Sequence, residues 1–284
     1  MCRFIAYLGK PFVLHDLLYK PVNSLIKQSI HAQEMEHPLN GDGFGISWYV
    51  KQLDEYPGVF KSIQPAWNDS NLETLSTKIF SGCILAHVRA ASRGDVNIFN
   101  THPFIYKEYC FMHNGIINGF DKLRRQVTNQ LSDEIYHWIK GQTDSELFFA
   151  VFLDFLIRSK KTFDIHVCAD LVRKTLDYIE TLQQKSHIKE MNFINAVISN
   201  GKTLLAMRYV SNKNEKTRSL HYAIGSGFKY QDGYCHMGNS ENQAKQSVLI
   251  ASEQLTSHKV EWHNVPTNHL ILVDEAFQLE IQSI

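Results

Sequence analysis

A cysteine stands directly behind the initiator methionine, and behind the cysteine comes a strand-like apolar run, Arg3-Phe4-Ile5-Ala6-Tyr7-Leu8-Gly9. A chain written this way commits its first residues to a sheet and leaves Cys2 at the strand's beginning. Removal of Met1 places a thiol and a free α-amine on one residue, with reference pKa values of about 8.5 and roughly 7.7–8.0, so nucleophile and base sit together near working pH. Methionine removal favours a small second side chain, and cysteine is small. A retained Met1 converts the amine to an inert amide and leaves Cys2 as a small packed hydrophobe.

The 284 residues carry 29 Lys+Arg and 29 Asp+Glu, so there is no basic field to draw in nucleic acid or anionic lipid. The expected partner is a small molecule or another protein. Lys10, Pro11, His15 and Asp16 interrupt the first apolar run too early for a secretion signal, and no later run reaches the ~18 apolar residues of a membrane span. Five cysteines, Cys2, Cys83, Cys110, Cys168 and Cys235, are odd in number, far apart and never in a C-x-x-C pair. This pattern reads as a reducing, cytoplasmic setting without a disulfide framework or zinc site.

Along the chain, Val13 to Ile30 suits short helices broken by Pro21, and Asn40-Gly41-Asp42-Gly43-Phe44-Gly45 leads into a β-rich run through Val50. Ile84-Leu85-Ala86 reads as a buried strand entering His87-Val88-Arg89, whose alternation points His87 and Arg89 to one side. Two polar groups on a buried strand need partners. Arg89 either forms an internal salt bridge or forks onto a substrate carboxylate, which a guanidinium suits better than an ammonium. The strand Tyr109-Cys110-Phe111-Met112 ends in His113-Asn114-Gly115. Asn114-Gly115 is either a hairpin tip or a pair of donors, side-chain amide and backbone N–H, with the composition of an oxyanion hole.

Ile116 to Lys140 has helical spacing broken near Asn129, and Thr143-Asp144-Ser145-Glu146 opens an apolar helix with the chemistry of a capping box. Capping uses Thr143 and Glu146 and leaves Asp144 either to complement the helix dipole or to hold a substrate ammonium. An amphipathic helix spans Leu171 to Leu182, and six strands follow from Phe193 onward. Lys213 to Arg218 and Tyr230 to Gln246 read as polar connections. Strands before and after long helices favour one α+β domain over residues 1–284, with stacked sheets inside and helices outside.

Taken in order, Cys2-Arg3, Asn40 to Gly45, His87-Val88-Arg89, Asn100-Thr101-His102-Pro103, His113-Asn114-Gly115 and Thr143 to Glu146 resemble the class II glutamine amidotransferases, of the N-terminal-nucleophile hydrolase superfamily. Ala251 to Leu255, with Trp262 and Val265-Pro266, resembles its standalone members. The resemblance implies a four-layer αββα sandwich of two mostly antiparallel sheets flanked by helices. It implies Cys2 as nucleophile, Arg89 on the α-carboxylate of a glutamine-like group, Asp144 on its α-ammonium, and Asn114 with Gly115 as the oxyanion hole. Larger relatives often follow the arginine with Trp and then a Thr-His pair; here Ala90, Ala91, Ser92 and Arg93 stand instead.

The reaction so implied cleaves the γ-amide of glutamine or of a γ-glutamyl compound through a thioester on Cys2, with no metal or organic cofactor. Either a separate synthase or hydrolase subunit receives the product, or the chain is a free-standing γ-glutamyl amidohydrolase. A third expectation is a non-catalytic binding or assembly subunit that retains Met1.

Overall fold

The computed structural model describes residues 2–35, 37–91, 94–212, 214–215, 217–231, 234–238, 246–256 and 262–284. The expectations that involve Met1, Ser92 and Arg93, and part of the connection from Tyr230 to Gln246, lie outside the described residues.

The first strand, β1 (Arg3–Val13), is followed by α1 (Leu14–Leu18), α2 (Leu25–Ile30), β2 (Phe44–Trp48), β3 (Gly58–Ser62), α3 (Ser70–Ser76) and β4 (Phe80–Val88). Next come β5 (Phe104–Tyr106), β6 (Tyr109–Ile116), α4 (Phe120–Thr128), α5 (Asp133–Trp138), α6 (Asp144–Ser159) and α7 (Ile165–Lys185). The remainder is β: β7 (Phe193–Ser199), β8 (Leu204–Val210), β9 (His221–Gly225), β10 (Phe228–Gln231), β11 (Tyr234–Met237), β12 (Ser247–Ala251), β13 (His263–Asn264), β14 (His269–Val273) and β15 (Leu279–Ser283).

The strands form two large antiparallel sheets, ordered β13-β9-β12-β1-β4-β2-β3 and β15-β14-β8-β7-β6-β5, with β10-β11 as a separate pair. Alternation along β1 shows how they stack. Phe4, Ala6 and Leu8 pack with Cys110 and Met112 of β6, Val197 of β7 and Ala206 of β8, filling the space between the sheets. Ile5 and Tyr7 turn the other way, onto Leu14, Leu17 and Leu25 of the first helices. A central strand covered on both faces has no polar side to show, which is why its sequence is apolar throughout. On the other sheet, Phe111, Ile194, Ile198 and Leu205 pack outward against Phe148, Phe152, Val172 and Ile179 of α6 and α7. The architecture is therefore αββα.

Three sequence expectations need correction. Asn114-Gly115 is no hairpin tip: β6 continues through it to Ile116, paired Asn114 to Asn195 and Gly115 to Ile194 of β7. The expected polar connection from Tyr230 to Gln246 instead contributes to the β10–β11 pair, whose Phe228, Cys235 and Met237 join the core beneath α1, so a few buried residues were hidden among exposed ones. The capping box is half made. Thr143 Oγ1 accepts from the Glu146 amide at 3.1 Å, but the Glu146 carboxylate turns back to the Lys140 and Gly141 amides, closing the loop before the helix.

Candidate active site

The alternation that builds the core also builds the site. Cys2 continues the even-numbered face of β1, which looks between the sheets, and Asn114 continues the even-numbered face of β6, which looks back. In β4, Cys83 and Leu85 fill the same interlayer, so His87 shares their face, with Arg89 just beyond the strand. Backbone pairing carries past the end of β4, since the Arg89 amide donates to the Gly43 carbonyl at 2.8 Å and the Asp42 amide to the Arg89 carbonyl at 2.9 Å. The loop after Gly41 thus pins Arg89 beside the start of β1, where Arg3 is paired with Val88.

Cys2 is half-buried, and its thiol donates to the Ala90 carbonyl at 3.6 Å. Burial pushes its pKa up, while the Arg89 guanidinium pulls the other way. Arg89 is buried, donates to the carbonyls of Asp95 at 3.2 Å and Gly94 at 3.3 Å, and has its own pKa lowered by burial, against the charges of Cys2 and Asp42. A fixed guanidinium thus stands in electrostatic reach of the thiol.

Asn114 is fully buried, yet neither its amide nitrogen nor its amide oxygen has a hydrogen-bond partner among the described residues. An unmade hydrogen bond in a core costs about 1–3 kcal/mol, so a donor kept waiting here is a candidate for a ligand contact. Gly115 is held tightly: a Cβ there would lie 1.9 Å from the Phe193 carbonyl oxygen and 2.5 Å from His113 Nε2. Only glycine fits this close approach.

Asp144 lies at the start of α6, buried, with one carboxylate oxygen accepting from the Ile117 amide at 2.8 Å and the other from the Ser145 amide at 2.9 Å. It ties α6 to the end of the Asn114 strand. A carboxylate has about four acceptor positions, so these bonds leave capacity for an ammonium.

Behind these groups lie three buried histidines. His87 Nε2–H donates to the His113 carbonyl at 3.3 Å, the His87 and His102 rings sit 4.2 Å apart, and His113 Nδ1 shares a 2.8 Å hydrogen bond with Ser145 Oγ. Burial lowers the pKa of all three, His87 to about 3, so they are neutral packing at ordinary pH. Among the described residues no cluster of His, Cys, Asp or Glu could hold a metal ion.

The sequence reading missed the device that fixes the strand carrying Cys2. Arg3 Nε donates to Glu253 Oε1 at 2.8 Å in a pair buried on both sides. Glu253 also accepts from the amides of Gln33 and Glu34, at 2.9 Å each, and lies just beyond β12, whose continuation is bonded to Phe4 at 3.0 Å. The quoted stretches Cys2-Arg3 and Ala251 to Leu255 contain both partners, but nothing in the spacing pairs them.

Residues 26–282 match the family model described as glutamine amidotransferases class-II. The probable glutamine amidotransferase DUG3 of Saccharomyces cerevisiae is 36% identical over 292 residues, covering 96% of this chain and 82% of the yeast protein. A γ-glutamyl-hercynylcysteine sulfoxide hydrolase of Mycobacterium tuberculosis is 30% identical over 120 residues, covering 42% of this chain and 50% of that protein. Among solved structures, a glutamine aminotransferase class-II domain protein from Silicibacter pomeroyi superposes with a TM-score of 0.70 at 24% identity, covering 99% of this chain and 98% of that one. By sequence match over nearly its whole length, and with the same sandwich fold, this chain belongs to the class II glutamine amidotransferases.

Proposed function

We propose that the chain, residues 1–284 acting as one domain, hydrolyses the γ-amide of glutamine or of a γ-glutamyl compound with Cys2 as nucleophile. The observation that carries this reading is the convergence at one end of the interlayer of a thiol at the chain's start, a buried arginine beside it and a buried amide without partners. In the proposed course, the α-amine exposed by loss of Met1 takes the thiol proton, and the thiolate attacks the γ-carbonyl. The oxyanion is held by the Asn114 side-chain amide and the Gly115 N–H, where one donor is worth about 2.7–4 kcal/mol. The amine then protonates the leaving group, and water cleaves the glutamyl thioester. Arg89 takes the α-carboxylate and Asp144 the α-ammonium.

The chemistry draws on side chains and the α-amine alone, with no cofactor in the scheme. The five free thiols support action in a reducing cytoplasm. A separate synthase or hydrolase subunit is the proposed partner when ammonia or an amine must be passed on.

The test is glutamate release from glutamine and from γ-glutamyl amides by mass-verified protein beginning at Cys2, beside Cys2→Ala. Cys2-dependent release supports the reading. A retained Met1 without turnover on any of them overturns it in favour of a binding or assembly subunit.

A further inference from the structure

Cys2 is flanked on two sides, and Arg89, as placed above, accounts for only one. In the sheet, β1 lies between β4 and β12. Arg89 follows β4. On the β12 flank, Ser219 Oγ donates to the Ser252 carbonyl at 2.8 Å, and Asn195, cross-strand partner of Asn114, donates its amide to the Ser219 carbonyl at 2.8 Å. This stitching brings the segment before β9 over the space between Phe4 and Asn114, and it carries Arg218.

Arg218 lies over the Phe193 ring, 5.6 Å from its centroid, on the residue whose carbonyl walls in Gly115. Its Nε and Nη1 are buried and have no hydrogen-bond partner among the described residues. Its neighbours do not share that state: Arg3 is bonded to Glu253, Arg208 donates to the Arg218 carbonyl at 2.8 Å, and the nearby Glu34 is engaged with His221 at 3.2 Å. Burial and then the Arg3 charge pull the Arg218 pKa down to about 10, with Cys2 acting in the opposite sense. A half-buried guanidinium beside a second cation, with two buried donors unmatched, is an anion site waiting for its anion.

We propose that Arg218 is a specificity-determining residue that binds a carboxylate on the leaving group, across the scissile amide from the glutamyl α-carbon. The inference rests on the reading of Cys2 and Arg89 above. With Arg89 on the glutamyl carboxylate and Cys2 at the γ-carbonyl, the opposite flank receives what is attached to the amide nitrogen. The favoured substrates are γ-glutamyl amino acids or peptides, whose leaving amines carry a carboxylate; glutamine, which releases ammonia, has nothing to offer Arg218.

The experiment compares kcat/KM for γ-glutamylglycine and γ-glutamylglycinamide, which differ only in that carboxylate, with glutamine as a third substrate. A hydrogen bond to a charged group corresponds to a preference of about 10- to 100-fold for γ-glutamylglycine. In Arg218→Gln this ratio falls to within about threefold of unity. Arg218→Lys, which keeps charge but loses the planar donors, retains the direction of the preference at reduced size and serves if the glutamine variant does not fold. No preference in the wild-type protein, or a ratio that survives both substitutions, overturns the role of Arg218 while Cys2-dependent turnover of any of the three substrates leaves the proposed reaction standing. No turnover of any of the three removes both.

Discussion

Removing the carboxylate of Glu253 tests how the strand bearing Cys2 is held. Arg3 and Glu253 are only 2% and 1% exposed, so Glu253→Ala strands a guanidinium in the core, and the Gln33 and Glu34 amides lose their acceptor. Breaking a buried pair by deleting one partner costs about 3–5 kcal/mol, against roughly 0–1 kcal/mol for a surface pair. At roughly 2–4 °C per kcal/mol for a domain of this size, the melting temperature should drop by about 6–20 °C. Glu253→Gln keeps the shape but sets an amide N–H against donors already present, so it should fall between Ala and wild type. Thermal and urea unfolding measure both. A loss below about 1 kcal/mol for Glu253→Ala would refute the reasoning, because it would mean that Arg3 reaches solvent or another acceptor at little cost.

Asn114→Ala is expected to lower kcat about 10²–10³-fold while costing no more than about 1 kcal/mol of stability, since the amide has no internal bonds to lose; equal loss in both, by kinetics and urea titration, would make the residue structural. Gly115→Ala should destabilise by at least about 2 kcal/mol in the same titration, because its Cβ meets the Phe193 backbone at 1.9 Å. His87 is held neutral by burial, its pKa lowered to about 3, so unfolded chains take up the proton first as pH falls. Its contribution is complete above about pH 6.5 and is lost on descending towards pH 3, at up to about 1.4 kcal/mol per pH unit. His87→Asn should flatten that acid limb of a stability–pH curve, and an unchanged slope would count against a neutral buried imidazole.

Much of the fold was legible because its signals are local. The unbroken apolar texture of Phe4 to Leu8 is that of a strand covered on both faces, and the helix at Leu171 to Leu182 was placed correctly, although it runs from Ile165 to Lys185. Asp164, whose carboxylate caps the amides of His166 and Val167, was the overlooked start signal. The β10–β11 pair escaped because Lys229, Tyr230, Gln231 and Tyr234 are exposed and only Phe228, Cys235 and Met237 are buried, too few to give a period. The candidate site residues were picked out as single motifs, and the structure puts Cys2 and Asn114 on facing sides of the interlayer by strand alternation and holds Arg89 beside them through the loop after Gly41. Arg218 and Glu253 were opaque for a physical reason: one lies in a polar connection whose position depends on Ser219 reaching Ser252, the other has a partner 250 positions away.

The most direct test of the central claim is intact-mass spectrometry of enzyme quenched in acid during turnover of a γ-glutamyl amide. The account predicts a chain beginning at Cys2 that carries one additional glutamyl group, located on Cys2 by peptide mapping and missing from Cys2→Ala. Turnover by a chain that still begins with Met1, or by Cys2→Ala, would contradict it.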